Sequence, residues 1–190
     1  MVVALAAFVG AFSWTFLEYV IHRFAGHDKR LPRNPFGVEH TRHHAEGGYF
    51  AHWSKKLAMA VVVAAALVTP LSLLLPWTVA TAFTLGLIGS YLTYESIHWS
   101  LHVFAPMTPY GRWARRHHFH HHFHDPRRNH GVTSPLWDWV FGTVAKPGVV
   151  RVPERLAMRW LVDEAGALHP KAVGDFELRR RPRASRPPLQ

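Results

Sequence analysis

The chain has 190 residues, 48% of them hydrophobic, so it is long enough for one domain with a real core and too apolar for a disordered chain. It contains no cysteine, which excludes disulfides, thiolate metal sites and a cysteine nucleophile, while 16 histidines against 12 Asp plus Glu point to imidazole chemistry. A net charge of +10 suits a nucleic-acid binder or the inner face of a membrane protein, and the placement of the charges decides between them.

Residues 1–22 and 57–111 contain neither Lys nor Arg, so all 22 basic residues lie in 23–56 and 112–190. The first clear stretch, Val2 to Val20, is apolar apart from Ser13, Thr15 and Glu18, and such a helix spans about 30 Å, the thickness of a bilayer's hydrocarbon core. It lacks the basic start of a secretory signal, and Glu18 and His22 continue the helix where a cleavage site would fall. The second stretch, Leu57 to Ile97, is interrupted by Pro70 and Pro76 and predicts a helical hairpin, Leu57 to Leu75 going out and Thr78 to Trp99 coming back. Lys29, Arg30, Arg33, Arg42, Lys55 and Lys56 after the first span, with Arg112, Arg115 and Arg116 after the third, put the N-terminus outside and the C-terminus in the cytoplasm. Three buried helices of a soluble protein are the alternative. Beyond Ala145, Val152, Leu156 and Trp160 share a helical face beside Arg151, Arg155 and Arg159, which predicts a helix lying on the anionic inner leaflet, then a disordered tail from Arg179. The expected architecture is an all-α integral membrane protein. Residues 1–145 supply about three transmembrane helices and a cytoplasmic histidine-rich helical cap, and 146–190 a basic C-terminal tail, partly disordered.

Four histidine clusters lie at or beyond the cytoplasmic helix ends: His22 and His27; His40, His43 and His44; His98 and His102; and the run from His117 to His124. Residues three and four apart share a helix face, so His98 with His102, and His40 with His43 and His44, are expected to aim imidazoles at one point. His118, His121 and His122 repeat the second pattern, but the run also permits a register with His117, His120 and His121, and spacing leaves both open. His22 and His27 lie about 140° apart around an ideal helix, so they serve two ions or straddle a helix end. So many imidazoles exceed the positions around one transition ion and suit a pair. His52, His117, His120, His124, His130 and His169 receive no ligand role. Among the few acidic residues, Glu18 four before His22, Glu95 three before His98, and Asp138 in Leu136-Trp-Asp-Trp are expected to orient ligand imidazoles, although Asp138 could equally cap local structure.

Trp14-Thr-Phe-Leu-Glu-Tyr-Val-Ile-His-Arg-Phe, His40-Thr-Arg-His-His, Tyr94-Glu-Ser-Ile-His-Trp-Ser-Leu-His and the segment His117 to Phe141 together resemble the membrane fatty acid hydroxylase and sterol desaturase superfamily, most of all its fatty acid 2-hydroxylase branch, over about residues 10–145. In that family the motifs HX4H, HX2HH, HX3H and HX2HH supply the ligands of a dimetal centre. The resemblance carries them onto His22, His27, His40, His43, His44, His98, His102, His118, His121 and His122, and so chooses the register that begins at His118. It implies an O2-dependent di-iron monooxygenase that places a hydroxyl on a lipid, a fatty acyl chain above all, with two Fe ions (Zn in isolated protein) and O2 as cosubstrate. No cytochrome b5 segment is seen in these residues, so a separate donor is expected, cytochrome b5-, ferredoxin- or reductase-like. Carotenoid and sterol hydroxylases or desaturases of the same superfamily share the pattern and are the alternative within it. A zinc-dependent membrane hydrolase would use the same nitrogens. A metal transporter would need ligands along a pore within the spans, and a nucleic-acid binder would rest on charge that the topology already explains.

Overall fold

The computed structural model describes residues 1–180. Its first element, α1 (Val2–Val20), continues without a break into a π-helical turn at Ile21–Gly26, so the first span leads directly into the first histidine pair. α2 (Pro35–Glu46) starts where the Asn34 side chain accepts a 2.8 Å hydrogen bond from the Gly37 N–H, with Pro35 pre-set at the first helical position. It ends at Gly47, whose φ of 65° favours a residue without Cβ. α3 (Trp53–Leu74) runs through Pro70, and the hairpin breaks at Pro76 alone, before α4 (Trp77–Val103). α5 (Pro109–Phe123), capped by the Thr108 hydroxyl accepting from the Gly111 N–H at 3.0 Å, carries the long histidine run, and the short α6 (Leu136–Val140) packs beside α1.

α1 and α4 run side by side in the same direction: Ala7 meets Gly86, and Trp14 packs on Tyr91 and Tyr94 with ring centroids 5.0 and 5.7 Å away. α3 returns the other way along α4, so Met1 and the turn at Pro76 share one end and the histidine clusters the other. A Cβ on Gly86 would stand 2.0 Å from the Ala7 carbonyl oxygen, and one on Gly10 1.9 Å from that of Phe83. Such close backbones are how membrane helices gain contact without a hydrophobic drive. Gly86→Ala is expected to push α1 from α4 at a cost of about 1–3 kcal/mol and to lower the melting temperature in detergent. Gly89→Ala, whose Cβ meets nothing within 4 Å, is the control that should not melt earlier; circular dichroism melts compare the two.

Val2–Gly26 and Trp53–Leu74 are long and apolar enough to cross a membrane. Their outward side chains are bare: Phe8 is 67% exposed, Val61 69% and Leu73 83%. Core helices of a soluble protein would bury such residues, so that alternative does not fit and these faces suit lipid. α4 is the more enclosed helix, touching both α1 and α3 and burying Ala80, Thr84, Leu87 and Tyr94.

Beyond Ala145 the all-α expectation fails. In place of a helix through Val152, Leu156 and Trp160, β1 (Val150–Pro153) pairs in parallel with β2 (Phe176–Arg179), Val150 opposite Phe176 and Val152 opposite Leu178. The four-residue spacing imitates a helix face, but the fold follows the shorter alternation in Val150-Arg-Val, with both valines buried and Arg151 exposed. Phe119 of α5, Leu161 and Phe176 close a core under this sheet. Residues expected in a loose tail thus fold onto the helix that bears the histidine run. The rest of the tail expected to be disordered, 181–190, lies outside the described residues.

Candidate metal centre

Two groups of five histidines form where the helices converge, each with donor nitrogens within 4.8 Å of one another: His22, His27, His40, His44 and His121, and His43, His98, His102, His118 and His122. Each group consists of two pairs and one crossing residue. His40 with His44, His98 with His102, and His118 with His122 stand four apart on α2, α4 and α5, and each pair serves a single group. His43 and His121 cross to the opposite group, so His40, His43 and His44 do not aim at one point as expected. One residue of offset turns a helical side chain by about 100°, which sends His43 and His44 to different sides. His22 and His27 share a group, because a π-helical turn bonds i to i+5 and stacks residues five apart, with His27 closing that turn.

The run on α5 contributes His118, His121 and His122, while His117 and His120 stay out. The His117 ring stacks on Trp113 at 4.9 Å, and His120 on His124 at 5.2 Å. Of the other histidines without an expected role, His52 caps α3 and His169 caps a short 3-10 turn.

The facing nitrogens fit cations and little else. His40 Nε2 stands 3.0 Å from His22 Nε2, 2.8 Å from His27 Nε2 and 3.0 Å from His44 Nε2. One ring nitrogen holds either one proton or one lone pair, so it makes a single N–H···N bond and not three. Bonds of about 2.1 Å from nitrogen to a metal, at right angles, put donor nitrogens about 3 Å apart. The same spacing recurs as 2.9 Å between His27 and His121, 3.1 Å between His43 and His98, and 2.9 Å between His102 and His118. Carbonyls fix the tautomers: the Nδ1–H groups of His43 and His121 donate to Tyr49 and Arg128 at 2.7 Å, and that of His22 to His130. Each then turns an Nε2 lone pair inward, the form a cation needs. Among the described residues neither ring nitrogen of His122 has a hydrogen-bond partner, although both are buried.

Glu18 and Glu95 act differently from expectation, and Asp138 takes the alternative expected of it, holding local backbone. Glu18 touches no imidazole; it accepts from the Val132 N–H at 2.6 Å, the Thr133 N–H at 3.0 Å and the Thr133 hydroxyl at 2.7 Å. Glu95 pairs with the buried Lys56 ammonium rather than with His98, because the cation on α3 is the stronger partner within reach. Asp138 accepts from the His130 and Gly131 N–H groups at 2.8 and 2.7 Å and from the Thr143 hydroxyl at 2.7 Å, with His117 Nε2 3.6 Å away. Burial alone would push the Asp138 carboxyl up, but these bonds outweigh it and hold it below the usual range. Glu18 and Asp138 thus clamp the two ends of one loop, 130–133, and it is that loop's His130 carbonyl that orients His22. Sequence reasoning missed His130, whose contribution is a backbone oxygen and leaves no signature in residue type.

Burial also keeps the imidazoles neutral. Outside the spans, desolvation lowers His27 and His43 to about 4 and His44 to about 3, helped by neighbouring cationic or imidazole groups. Unfolded, each titrates near 6.5, so below that pH the unfolded chain binds more protons than the folded one. Stability of the metal-free protein therefore rises with pH through this window and is lost as pH falls from 6.5 toward 4. Its melting temperature is expected to drop steadily over that range, which melts in chelator at a series of pH values check.

A model of the fatty acid hydroxylase family matches residues 7–143. A dihydroceramide fatty acyl 2-hydroxylase of Arabidopsis thaliana is 31% identical over 74% of this chain and 60% of its own length. A ceramide very long chain fatty acid hydroxylase of Saccharomyces cerevisiae is 35% identical over 73% and 38%, and a fatty acid 2-hydroxylase of Mus musculus 34% over 72% and 38%. The chain therefore spans about 60% of the plant relative and less than half of the yeast and mouse ones. The solved structure of full-length scs7p, in which only the hydroxylase domain is visible, matches with a TM-score of 0.60 and 31% identity over 75% of this chain and 57% of that one.

Proposed function

Since the chain belongs to the fatty acid hydroxylase family, we propose that it is an O2-dependent di-iron monooxygenase that hydroxylates a C–H bond in the acyl chain of a membrane lipid. The observation that carries this reading is the pair of five-imidazole groups, whose facing lone pairs call for cations. When bound there, two redox ions supply what no acid or base side chain can, the activation of O2 against an unactivated C–H bond.

The protein's own part is to hold, orient and shield. His22, His27, His40, His44 and His121 would hold one ion, and His43, His98, His102, His118 and His122 the other. His43 and His121 lock the two sites to each other, because α2 and α5 each contribute to both. Neutral imidazoles would leave the positive charge of bound ions uncompensated by their ligands. A groove of about 360 Å³ is lined by Met59, Tyr91 and Tyr94 of α3 and α4 and by His40, His43 and His98, so it touches both groups. We assign it to the acyl chain, entering from the bilayer. Lys29 and Arg33 line another opening, onto His27, His40 and His44, which suits an acidic electron donor of cytochrome b5, ferredoxin or reductase type. The reading places three spans in the membrane, the N-terminus outside, and the histidine groups with the C-terminus in the cytoplasm, where the basic residues lie.

Cells expressing the wild type or His121→Ala, grown in air with iron and then with isotopically labelled O2, test it. A lipid that gains one oxygen atom, labelled from the gas and absent in the variant, is the expected product, and its identity separates fatty acyl from carotenoid or sterol substrates. Oxygenation that persists unlabelled, or equally in the variant, overturns the reading.

A further inference from the structure

Lys56 is the last cation before the long stretch without Lys or Arg, and Glu95 is the only acidic residue between 47 and 124, yet the two meet as an ion pair. Their side chains are 8% and 13% exposed where α3 packs along α4. A buried ion pair is weak support for a fold, since apolar residues of similar volume often serve as well or better. In a helix apolar enough to cross a bilayer, as α3 is, a retained charge marks a functional position instead.

Both residues line the groove assigned above to the acyl chain, together with His43 and His98. The Lys56 ammonium stands 5.3 Å from the centre of the Phe50 ring, and that ring packs on His43 at 4.7 Å and on His98 at 5.2 Å. One phenyl ring therefore separates the charge from the second histidine group. An ammonium carries three N–H donors, and Glu95 is the only hydrogen-bond partner of this one among the described residues. The other cation of the lining, Lys55, is taken up by Glu39 at 3.1 Å. Each cation is thus matched by a carboxylate. The groove offers a donor without excess positive charge, which fits a neutral carbonyl and works against a free carboxylate, because that anion would have to face Glu95.

We propose that Lys56, held by Glu95, anchors the carbonyl oxygen of an acyl amide or ester and so directs oxygenation to the carbons just beyond that carbonyl. The inference rests on the oxygenase reading for its reaction, and on the groove alone for its binding. With the oxygen on the ammonium, the first carbons pass over Phe50 toward His43 and His98, and the rest of the chain follows Met59 and Tyr91.

Displacement of a fluorescent fatty acyl probe from the purified full chain in detergent tests the anchor, with N-methylpalmitamide, palmitate and hexadecane as competitors. The amide is expected to bind about tenfold tighter than hexadecane, the effect of one hydrogen bond from a charged donor, and tighter than palmitate. Lys56→Met combined with Glu95→Leu removes both charges and leaves no orphaned carboxylate. This double variant should fold by circular dichroism, bind hexadecane like the wild type and lose its preference for the amide. Mass spectrometry of the oxygenated lipids should place the hydroxyl near the carbonyl in the wild type and scatter it along the chain in the double variant, a change that lost stability alone does not produce. Absence of any oxygenated lipid from the wild type would count against the oxygenase reading, whereas the binding results judge the anchor by themselves. Equal binding of amide and hexadecane to the wild type, tighter binding of palmitate, or an unchanged preference in the folded double variant overturns it.

Discussion

His40→Ala is expected to lower bound metal from about two ions per chain to about one and to abolish oxygenated product. His40 is the hub of its group: its Nε2 lies within 3.0 Å of the same atom in His22, His27 and His44. Residues that merely orient a metal ligand already cost about 10–100-fold when removed, so loss of the hub should cost product formation more than that. His43→Ala, three residues along the same helix, should remove the other ion and leave this one, since the two side chains enter different groups. His52→Ala is the control, for His52 caps α3 at the surface and should change neither metal content nor product. Metal analysis of purified protein with lipid mass spectrometry reads all three. Two ions retained in both His40→Ala and His43→Ala would remove the centre from the mechanism.

The histidine groups were legible in the sequence because helical spacing places side chains on faces, and because a set of ordered motifs carries more information than any one of them. Which histidine enters which group was not legible. That depends on a one-residue offset at His43 and His121 and on a π-helical turn at Ile21–Gly26, and neither leaves a mark in composition. The long apolar helices could be read from charge segregation and hydropathy, including the turn at Pro76. The C-terminal module could not, since Val152, Leu156 and Trp160 fit a helix face while only Val150 and Val152 reveal a strand. The carboxylates show the same limit in another form. Glu18 sits at the spacing of an imidazole partner, yet it binds backbone N–H groups of a loop more than a hundred residues away, a contact that only the assembled fold creates.

Asp138→Ala is expected to be the most damaging change outside the histidines. The carboxylate gathers two backbone N–H groups and the Thr143 hydroxyl at 2.7–2.8 Å in a fully buried site, so its loss orphans two backbone donors and leaves the Thr143 hydroxyl only its Tyr19 contact. Each buried unsatisfied donor costs about 1–3 kcal/mol, and partial relaxation leaves a total of about 3–5 kcal/mol, a large part of a domain's stability. Water cannot replace the carboxylate cheaply here, because Gly131 already lies so close that a Cβ on it would stand 2.1 Å from the Ser134 carbonyl oxygen. The damage should also be directional. The loop released is the one whose His130 carbonyl orients His22, so the first group should lose its ion before the second does. A milder variant, Thr143→Val, removes one of the three donors together with its contact to the Tyr19 hydroxyl at 3.0 Å, and should show the same order of loss with a smaller fall in melting temperature. Metal content measured against chelator concentration in both variants decides the point: equal loss of the two ions would mean that Asp138 supports the fold alone, whereas loss of one ion first would identify it as a positioning residue for His22.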